Sequence, residues 1–306
     1  MISGILRPMT VDPSRRDVLE LAEIGADAPA SIRVRVDAEL DRFLDEQAGG
    51  LRAIDPATGE LVDELRRLIR AGGSRLRPLC AYWGYRAAGG IDGAEIVRAA
   101  AALELLHAMA LIHDDLMDEA NARRGVPSTH RWFAEHAREA GDPDPEHAGR
   151  SLAILAGDLA AVFADRALLE AGFPPARLAV ALDRYHAMRV EMAAGQYLDL
   201  TRTAADPGRV ASLKGGSYSI VGPLVVGAAL AGGSGAVTEA LRRVGEPLGR
   251  AFQLRDDLRD GDAATGVTWE GVRGLVAESR AALAAAELDH HAAMALAAIA
   301  EAVAQR

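Results

Sequence analysis

The sequence is poor in three kinds of residue. One cysteine, Cys80, stands in a chain of 306 residues, aromatic side chains make up 4% of it, and Lys214 is the only lysine among 34 basic residues. A single thiol excludes an intramolecular disulfide framework and any zinc site built from cysteines. A basic excess is missing too. With 44 acidic against 34 basic residues the formal net charge is −10, which argues against a general nucleic-acid binder, whose contact face would be basic. The start, Met1 to Val11, has no basic stretch followed by an apolar run, so no secretory leader is expected. The longest apolar stretch, Ile220 to Ala231, is too short to span a bilayer and contains Pro223.

What remains is apolar and rich in alanine. Half of the residues are hydrophobic, enough at this length to bury a large core. Alanine is the strongest helix former. The expectation is a soluble, cytoplasmic, all-α protein with no composition typical of disorder. Apolar residues recur at helical spacing over Ala30 to Gln47 and Leu61 to Arg70. Gly72-Gly73 then breaks the chain, and Pro78 suits the first turn of the next helix. Ile96 to Glu119 reads as one long buried helix. Asn121 to Thr129 reads as a basic loop, and Gly141 to Pro145 as a turn. Further helices are expected at Ser151 to Ala171, Pro175 to Leu200, Val210 to Ala231 and Ala236 to Arg259, with two Ala-rich ones at the end. There is no internal repeat and no linker, so residues 1–306 read as one helical-bundle domain, with 1–30 a loose N-terminal extension.

The informative charges sit where a core helix should have none. The apolar run through Leu105, Leu106, Met109, Ala110 and Ile112 ends in His113-Asp114-Asp115-Leu116-Met117-Asp118-Glu119. Asp114 and Asp118 lie about one turn apart and share a helix face. Like charges at that spacing repel, and a cation between them turns the cost into a site. Carboxylate oxygens completed by water suit Mg²⁺. The arrangement recurs at the end of another apolar helix, where Phe252-Gln253-Leu254-Arg255 leads into Asp256-Asp257-Leu258-Arg259-Asp260. One such motif is a common acidic helix end. Two of them read as a paired metal site. Such cations need an anion, and Gly72-Gly73-Ser74-Arg75-Leu76-Arg77-Pro78 places two guanidiniums at a helix start, where anions bind well. Arg123-Arg124-Gly125 follows the first acidic motif, and arginine forks suit phosphate oxygens. His107 lies two turns before Asp114 on the same face. Together these residues describe a pocket for a diphosphate bridged by Mg²⁺.

With these motifs in this order, from about Asp37 to Gly266 and including Gly157-Asp158, Gly195-Gln196-Tyr197 and Lys214, the chain resembles the trans-isoprenyl diphosphate synthases, the polyprenyl synthetase family. The resemblance implies an isoprenoid synthase-like helical bundle with a deep central cavity, usually a homodimer. It implies that Asp114 and Asp118, with Asp256 opposite, hold three Mg²⁺ on the diphosphate of an allylic substrate, supported by Asp115, Asp257 and Asp260. Asp114, Asp118, Asp256 and Lys214 are then the catalytic set. Arg123 and Lys214 contact the allylic diphosphate, and Arg77, His107 and Arg124 hold that of isopentenyl diphosphate, with Ser74 and Gln253 in the substrate-binding set. The reaction implied is ionisation of the allylic diphosphate, attack by the isopentenyl double bond, and loss of a proton to the released diphosphate. Leu106, Met109 and Ala110 form the floor that sets product length. With no aromatic group there, the expected product is C20, geranylgeranyl diphosphate, with C15 and C25 as neighbours.

The chain departs from the family at three places. Ser74 stands where the family has lysine, Gly215 where it has Thr or Ser, and Val267 where a lysine should follow Gly266. The family's Asp-Leu-x-x-Gly-Lys-x-Thr segment and the helices after it are expected to be missing, a shortened C-terminal region. Two other readings stay open on these grounds. One is a terpene synthase-like enzyme that ionises a prenyl diphosphate without adding isopentenyl diphosphate. The other is a weakly active or non-catalytic partner subunit.

Overall fold

The computed structural model describes residues 31–201, 209–210, 212–260 and 268–305. Among them eleven α-helices carry the architecture. They are α1 (Ile32–Ile54), α2 (Gly59–Arg70), α3 (Leu76–Ala87), α4 (Ala94–Met117), α5 (Thr129–Glu139), α6 (Pro145–Leu169), α7 (Pro175–Thr201), α8 (Gly222–Ala231), α9 (Gly235–Asp260), α10 (Trp269–Ala284) and α11 (His290–Ala304). A π-helical segment, Ser212–Val221, leads directly into α8. The all-α expectation holds, with one small exception inside the expected basic loop. There Ala122–Arg123 and Val126–Pro127 pair as an antiparallel ribbon. The expected extension, residues 1–30, lies outside the described residues.

The centre of the bundle is α4, for a reason visible in its composition. Ile96, Ala100, Leu103, Leu105 and Leu106 are apolar on every side and almost fully buried, each Leu or Ile contributing about 1.5–3 kcal/mol relative to exposure. By length and apolarity α4 matches a membrane span, but 72% of its most apolar window is buried inside the molecule. It packs between α6, α3 and α1, and Phe43 of α1 meets Phe163 of α6 edge-on at 5.8 Å. The expected apolar stretch at Ile220 was therefore the lesser candidate for a span, and the greater one is core.

Local chemistry explains the helix limits. Asp144 caps α6 by accepting the His147 N–H, and Pro145 follows at the first helical position, so the expected turn at 141–145 is the helix start itself. α5 went unnoticed in the sequence because its eleven residues carry only Phe133 and Ala134 as buried apolar side chains. The expected helix Val210 to Ala231 is two pieces. Pro223 lacks a backbone N–H and cannot continue a regular ladder, and the chain before it widens into the π-helix. After the second acidic motif α10 and α11 do follow. Ser279 donates to the Val244 carbonyl of α9 at 2.8 Å, and Leu296, Ile299 and Val303 of α11 are buried.

Candidate active site

On α4 one stripe escapes complete burial. His107, Ala110, Leu111 and Asp114 are partly buried and Asp118 is exposed, whereas Ala108 and Ile112 are sealed in the core. The stripe follows the three-and-four spacing of a single helix face. Asp118 ends the helix, its N–H bonding back to the Asp114 carbonyl at 2.8 Å, and Glu119 turns into the left-handed region at φ 53°. The side chain of Asp114 meets Arg123 at 3.4 Å and receives Gln196 Nε2 of α7 at 3.5 Å. Gln196 appeared in the sequence only as part of a motif, and the structure brings it to the acidic face.

Asp115 points elsewhere. Its side chain is 1% exposed and takes two donors of Arg123, Nε at 2.8 Å and Nη2 closer still. It holds Arg123 rather than facing open space. Burial alone would lower the Arg123 pKa, but Asp115, Asp114 and Asp118 outweigh it and raise it. The short ribbon explains how two adjacent arginines reach different targets. Arg124 and Gly125 form its two-residue turn with φ of 53° and 78°, the geometry of a tight hairpin. Arg123 turns to the acidic end of α4, and Arg124 turns to the Gly72 carbonyl and to His107 Nε2, the latter at 3.5 Å.

The Gly72-Gly73 break now has a purpose. Gly73 sits at φ 137°, and a methyl there would strike the Arg124 guanidinium. Of the two arginines that follow, only Arg77 belongs to the site. Arg75 is a correction to the expected pair of anion-binding guanidiniums. It is 5% exposed and spends its donors on Asp37 (2.7 Å), Glu104 (2.8 Å) and the carbonyls of Gly72 and Ile69. A buried cation with full partners is a brace for the loop. Ser74 lines a cavity of about 680 Å³ with Arg33, Asp37, Gly72, Gly73 and Arg75, and Gly72 and Gly73 are the residues against which Arg124 lies.

Arg77 donates to Ser219 Oγ at 2.6 Å and lies 4.2 Å over the ring of Tyr218. The Tyr218 hydroxyl is 2.6 Å from His107 Nδ1. Sequence reasoning missed Tyr218 and Ser219 because they look like ordinary polar breaks in an apolar run. Burial first, then Arg77, Arg124, Arg123 and Arg75, hold the His107 pKa well below its usual value, so the imidazole is neutral. Desolvation lowers the pKa of Arg124, and Arg75, Arg77 and Arg123 add to it against the charge of Glu104, which raises it. Among the described residues neither Arg77 nor Arg124 has a carboxylate partner. Two guanidiniums that crowd each other with no ion pair among the described residues suit an anion.

The second acidic motif closes α9. Asp256 is held by Arg255 at 2.9 Å, and Asp257 accepts Gln253 Nε2 at 2.9 Å. Gln253 also explains the first departure after the lysine, because its Oε1 occupies the space a Cβ at residue 215 would need. Gly215 and Gly216 pack against Gln253 and Gly249 of α9, while Tyr218 in the same π-helix reaches His107 of α4. One short segment therefore ties both acid-bearing helices one to two turns before their carboxylates. The side chains of Lys214 and Asp260, and residues 261–267, lie outside the described residues.

Among the described residues no group of three His, Cys, Asp or Glu side chains is gathered closely enough to hold an ion alone. Pairs of carboxylates fit Mg²⁺, which is usually bound by one or two carboxylates with water and substrate phosphate oxygens completing its shell. Asp114 and Asp118, one turn apart at the end of α4, offer such a pair, whereas Asp256 on α9 is held by Arg255.

Residues 59–268 match the family model described as polyprenyl synthetase. The chain is 34% identical over 233 residues to a geranylgeranyl diphosphate synthase of Methanosarcina mazei, covering 74% of this chain and 63% of that protein. It is 30% identical over 239 residues to a nonaprenyl diphosphate synthase of Mycobacterium tuberculosis, covering 76% of this chain and 63% of that protein. The chain thus spans under two thirds of the length of these curated relatives. Among solved structures it is similar to the geranylgeranyl pyrophosphate synthase of Corynebacterium glutamicum, solved with isoprenyl diphosphate and magnesium. That match has a TM-score of 0.81 and 30% identity, and covers 89% of this chain and 97% of the other.

Proposed function

Because this chain belongs to the polyprenyl synthetase family, we propose that it is a Mg²⁺-dependent prenyltransferase that condenses isopentenyl diphosphate with an allylic diphosphate. The observation that carries the reading is the pair Arg77 and Arg124, with neutral His107 beside them and no carboxylate ion-paired to them among the described residues, next to a helix end bearing Asp114 and Asp118. An anion site next to a cation site suits two diphosphates held side by side.

In this reading Asp114, Asp118 and Asp256, supported by Asp257 and Asp260, hold three Mg²⁺, and Arg123 and Lys214 contact the allylic diphosphate. Bound there, Mg²⁺ supplies positive charge that stabilises the departing diphosphate. Asp115 keeps Arg123 aimed at the same oxygens. Arg77, Arg124 and His107 hold isopentenyl diphosphate so that its double bond lies beside the allylic carbon, which makes the attack effectively unimolecular. The apolar face of α4 below Asp114 receives the hydrocarbon and keeps water from the cation. Gln253 acts from the other wall by fixing Asp257. Ser74 lines the same cavity as Gly72 and Gly73, against which Arg124 lies, and in this reading it stays in the substrate-binding set.

Product length is set by Ala110, one turn before Asp114, with Met109 and Leu106 beside it. Met109 and Ala110 are incompletely buried, whereas Leu106 is 1% exposed. The small Ala110 leaves room for a C20 chain. Chromatography of dephosphorylated products should give geranylgeraniol, and Ala110→Phe should shift the main product to C15. Unchanged chain length in Ala110→Phe overturns this role. Diphosphate release without uptake of labelled isopentenyl diphosphate would favour the terpene synthase-like alternative, and neither event would favour the non-catalytic subunit.

The protein is also proposed to be a homodimer. Leu155, Val162 and Leu169 of α6 recur at heptad spacing and are 53%, 59% and 52% exposed, and Val190 and Tyr197 of α7 are 70% and 66% exposed. The 2.7 Å ion pair of Arg189 with Asp165 joins these two helices. Such an apolar stripe marks an association surface, and a shared face fits a two-fold pair. Light scattering should report a dimer, and Val162→Glu with Leu155→Glu a monomer. A monomeric parent protein would contradict this. Cytoplasmic location belongs to the same reading, supported by the burial of α4, and recovery in the membrane pellet of fractionated cells would count against it.

A further inference from the structure

The guanidinium pair rests on a second layer of support that the reaction above leaves unused. Tyr218 and Ser219, adjacent in the π-helix, hold Arg77 from two directions, one through the ring face at 4.2 Å and the other through Oγ at 2.6 Å. Arg77 Nε is buried with no hydrogen-bond partner among the described residues. Tyr218 is 6% exposed, and its hydroxyl reaches His107 Nδ1 at 2.6 Å. We propose that Tyr218 is a positioning residue for the anion site, its ring setting the plane of Arg77 and its hydroxyl setting which nitrogen of His107 carries the proton. The proposal rests on the reading of Arg77, His107 and Arg124 as a diphosphate site.

The number of available donors decides where the ring proton sits. A neutral imidazole has one N–H, and a guanidinium has donors only. With Arg124 Nη2 3.5 Å from His107 Nε2, the empty site favours a lone pair on Nε2. The ring proton then sits on Nδ1 and is donated to the Tyr218 oxygen. A phosphate oxygen arriving beside Nε2 reverses the preference. The Tyr218 O–H rotates to donate to Nδ1, the ring exchanges its proton through water to Nε2, and Nε2–H donates to the phosphate. No net proton is gained or lost. Tyr218 keeps its own proton throughout, since burial pushes its pKa up to about 12. The hydroxyl suits this exchange because it donates and accepts at one atom.

The test uses the full-length protein and inorganic pyrophosphate as the probe. Nitrogen NMR of the labelled His107 ring should show the proton on Nδ1 in the free protein and on Nε2 when pyrophosphate saturates. Tyr218→Phe keeps the ring under Arg77 but removes the hydroxyl. It should weaken pyrophosphate binding about tenfold, raise KM for isopentenyl diphosphate by a similar factor and leave kcat within about twofold. Tyr218→Leu, which also removes the ring, should weaken binding further. If the parent binds pyrophosphate and Tyr218→Phe binds it equally, or if the His107 tautomer does not change, the positioning role is overturned while the diphosphate reading stands. A folded parent that fails to bind pyrophosphate overturns both.

Discussion

Asp114→Asn is expected to lower kcat by about 10²–10³, the effect of removing one preorganised charge from a site that stabilises a leaving anion. Asp114 is 28% exposed on its side chain, and its contacts to Arg123 and Gln196 are long, at 3.4 and 3.5 Å. Losing its charge therefore costs little fold stability, and the melting temperature should stay close to the parent's. The demand for Mg²⁺ should rise, because one carboxylate ligand in an already sparse set is gone. Asp115→Asn supplies the contrast. That carboxylate is 1% exposed and holds Arg123, so its loss should lower stability as well as rate. A steady-state assay over a Mg²⁺ series, with thermal melting on the same samples, separates the two. Full activity in Asp114→Asn at low Mg²⁺ would falsify the assignment of the first acidic wall.

The second large effect is structural. Glu104→Ala should destabilise the protein by about 3–5 kcal/mol, because it leaves the buried guanidinium of Arg75 without one of its two carboxylates. The pair is 2.8 Å long with side-chain exposures of 5% and 4%. Burial alone would pull the Arg75 pKa down, and Glu104 and Asp37 more than restore it. For a domain of this size the loss corresponds to roughly a 10 °C lower melting temperature. Arg75 shapes the loop in which Gly73 makes room for Arg124, so KM for isopentenyl diphosphate should rise as well. Removing both charges, as Arg75→Met with Glu104→Leu, should recover much of the stability, since no uncompensated charge is left inside. A melting temperature for Glu104→Ala within about 2 °C of the parent's would rule out the brace.

Several parts of the site could be read from residue types alone. The acidic ends of α4 and α9 stand out because carboxylates interrupt apolar helical periodicity. Spacing by turns is enough to place Asp114, Asp118 and His107 on one face. Residue types alone show Arg123 and Arg124 as one basic pair; the family resemblance gave them separate roles, and the left-handed turn at Arg124 that parts them is a backbone property. Arg75 and Arg77 look equivalent in the sequence. One is buried against Glu104 and the other lies over Tyr218, a difference set by residues far along the chain. The single lysine drew attention to residues 214–215, yet the change to Gly215 acquires meaning only beside Gln253, whose side chain fills the space.

Composition and periodicity by themselves determined the helical class, the central buried helix and the two acidic helix ends. These are local or one-dimensional properties, fixed by which residue follows which at intervals of three and four. Tertiary structure alone decided which arginines have no ion pair among the described residues, that Asp115 faces inward, and that Tyr218 and Ser219 support Arg77. Each of those outcomes depends on a charge or ring brought near by another helix. The cost of burying a guanidinium or leaving it unpaired is set by that neighbour, and spacing along the chain does not contain it.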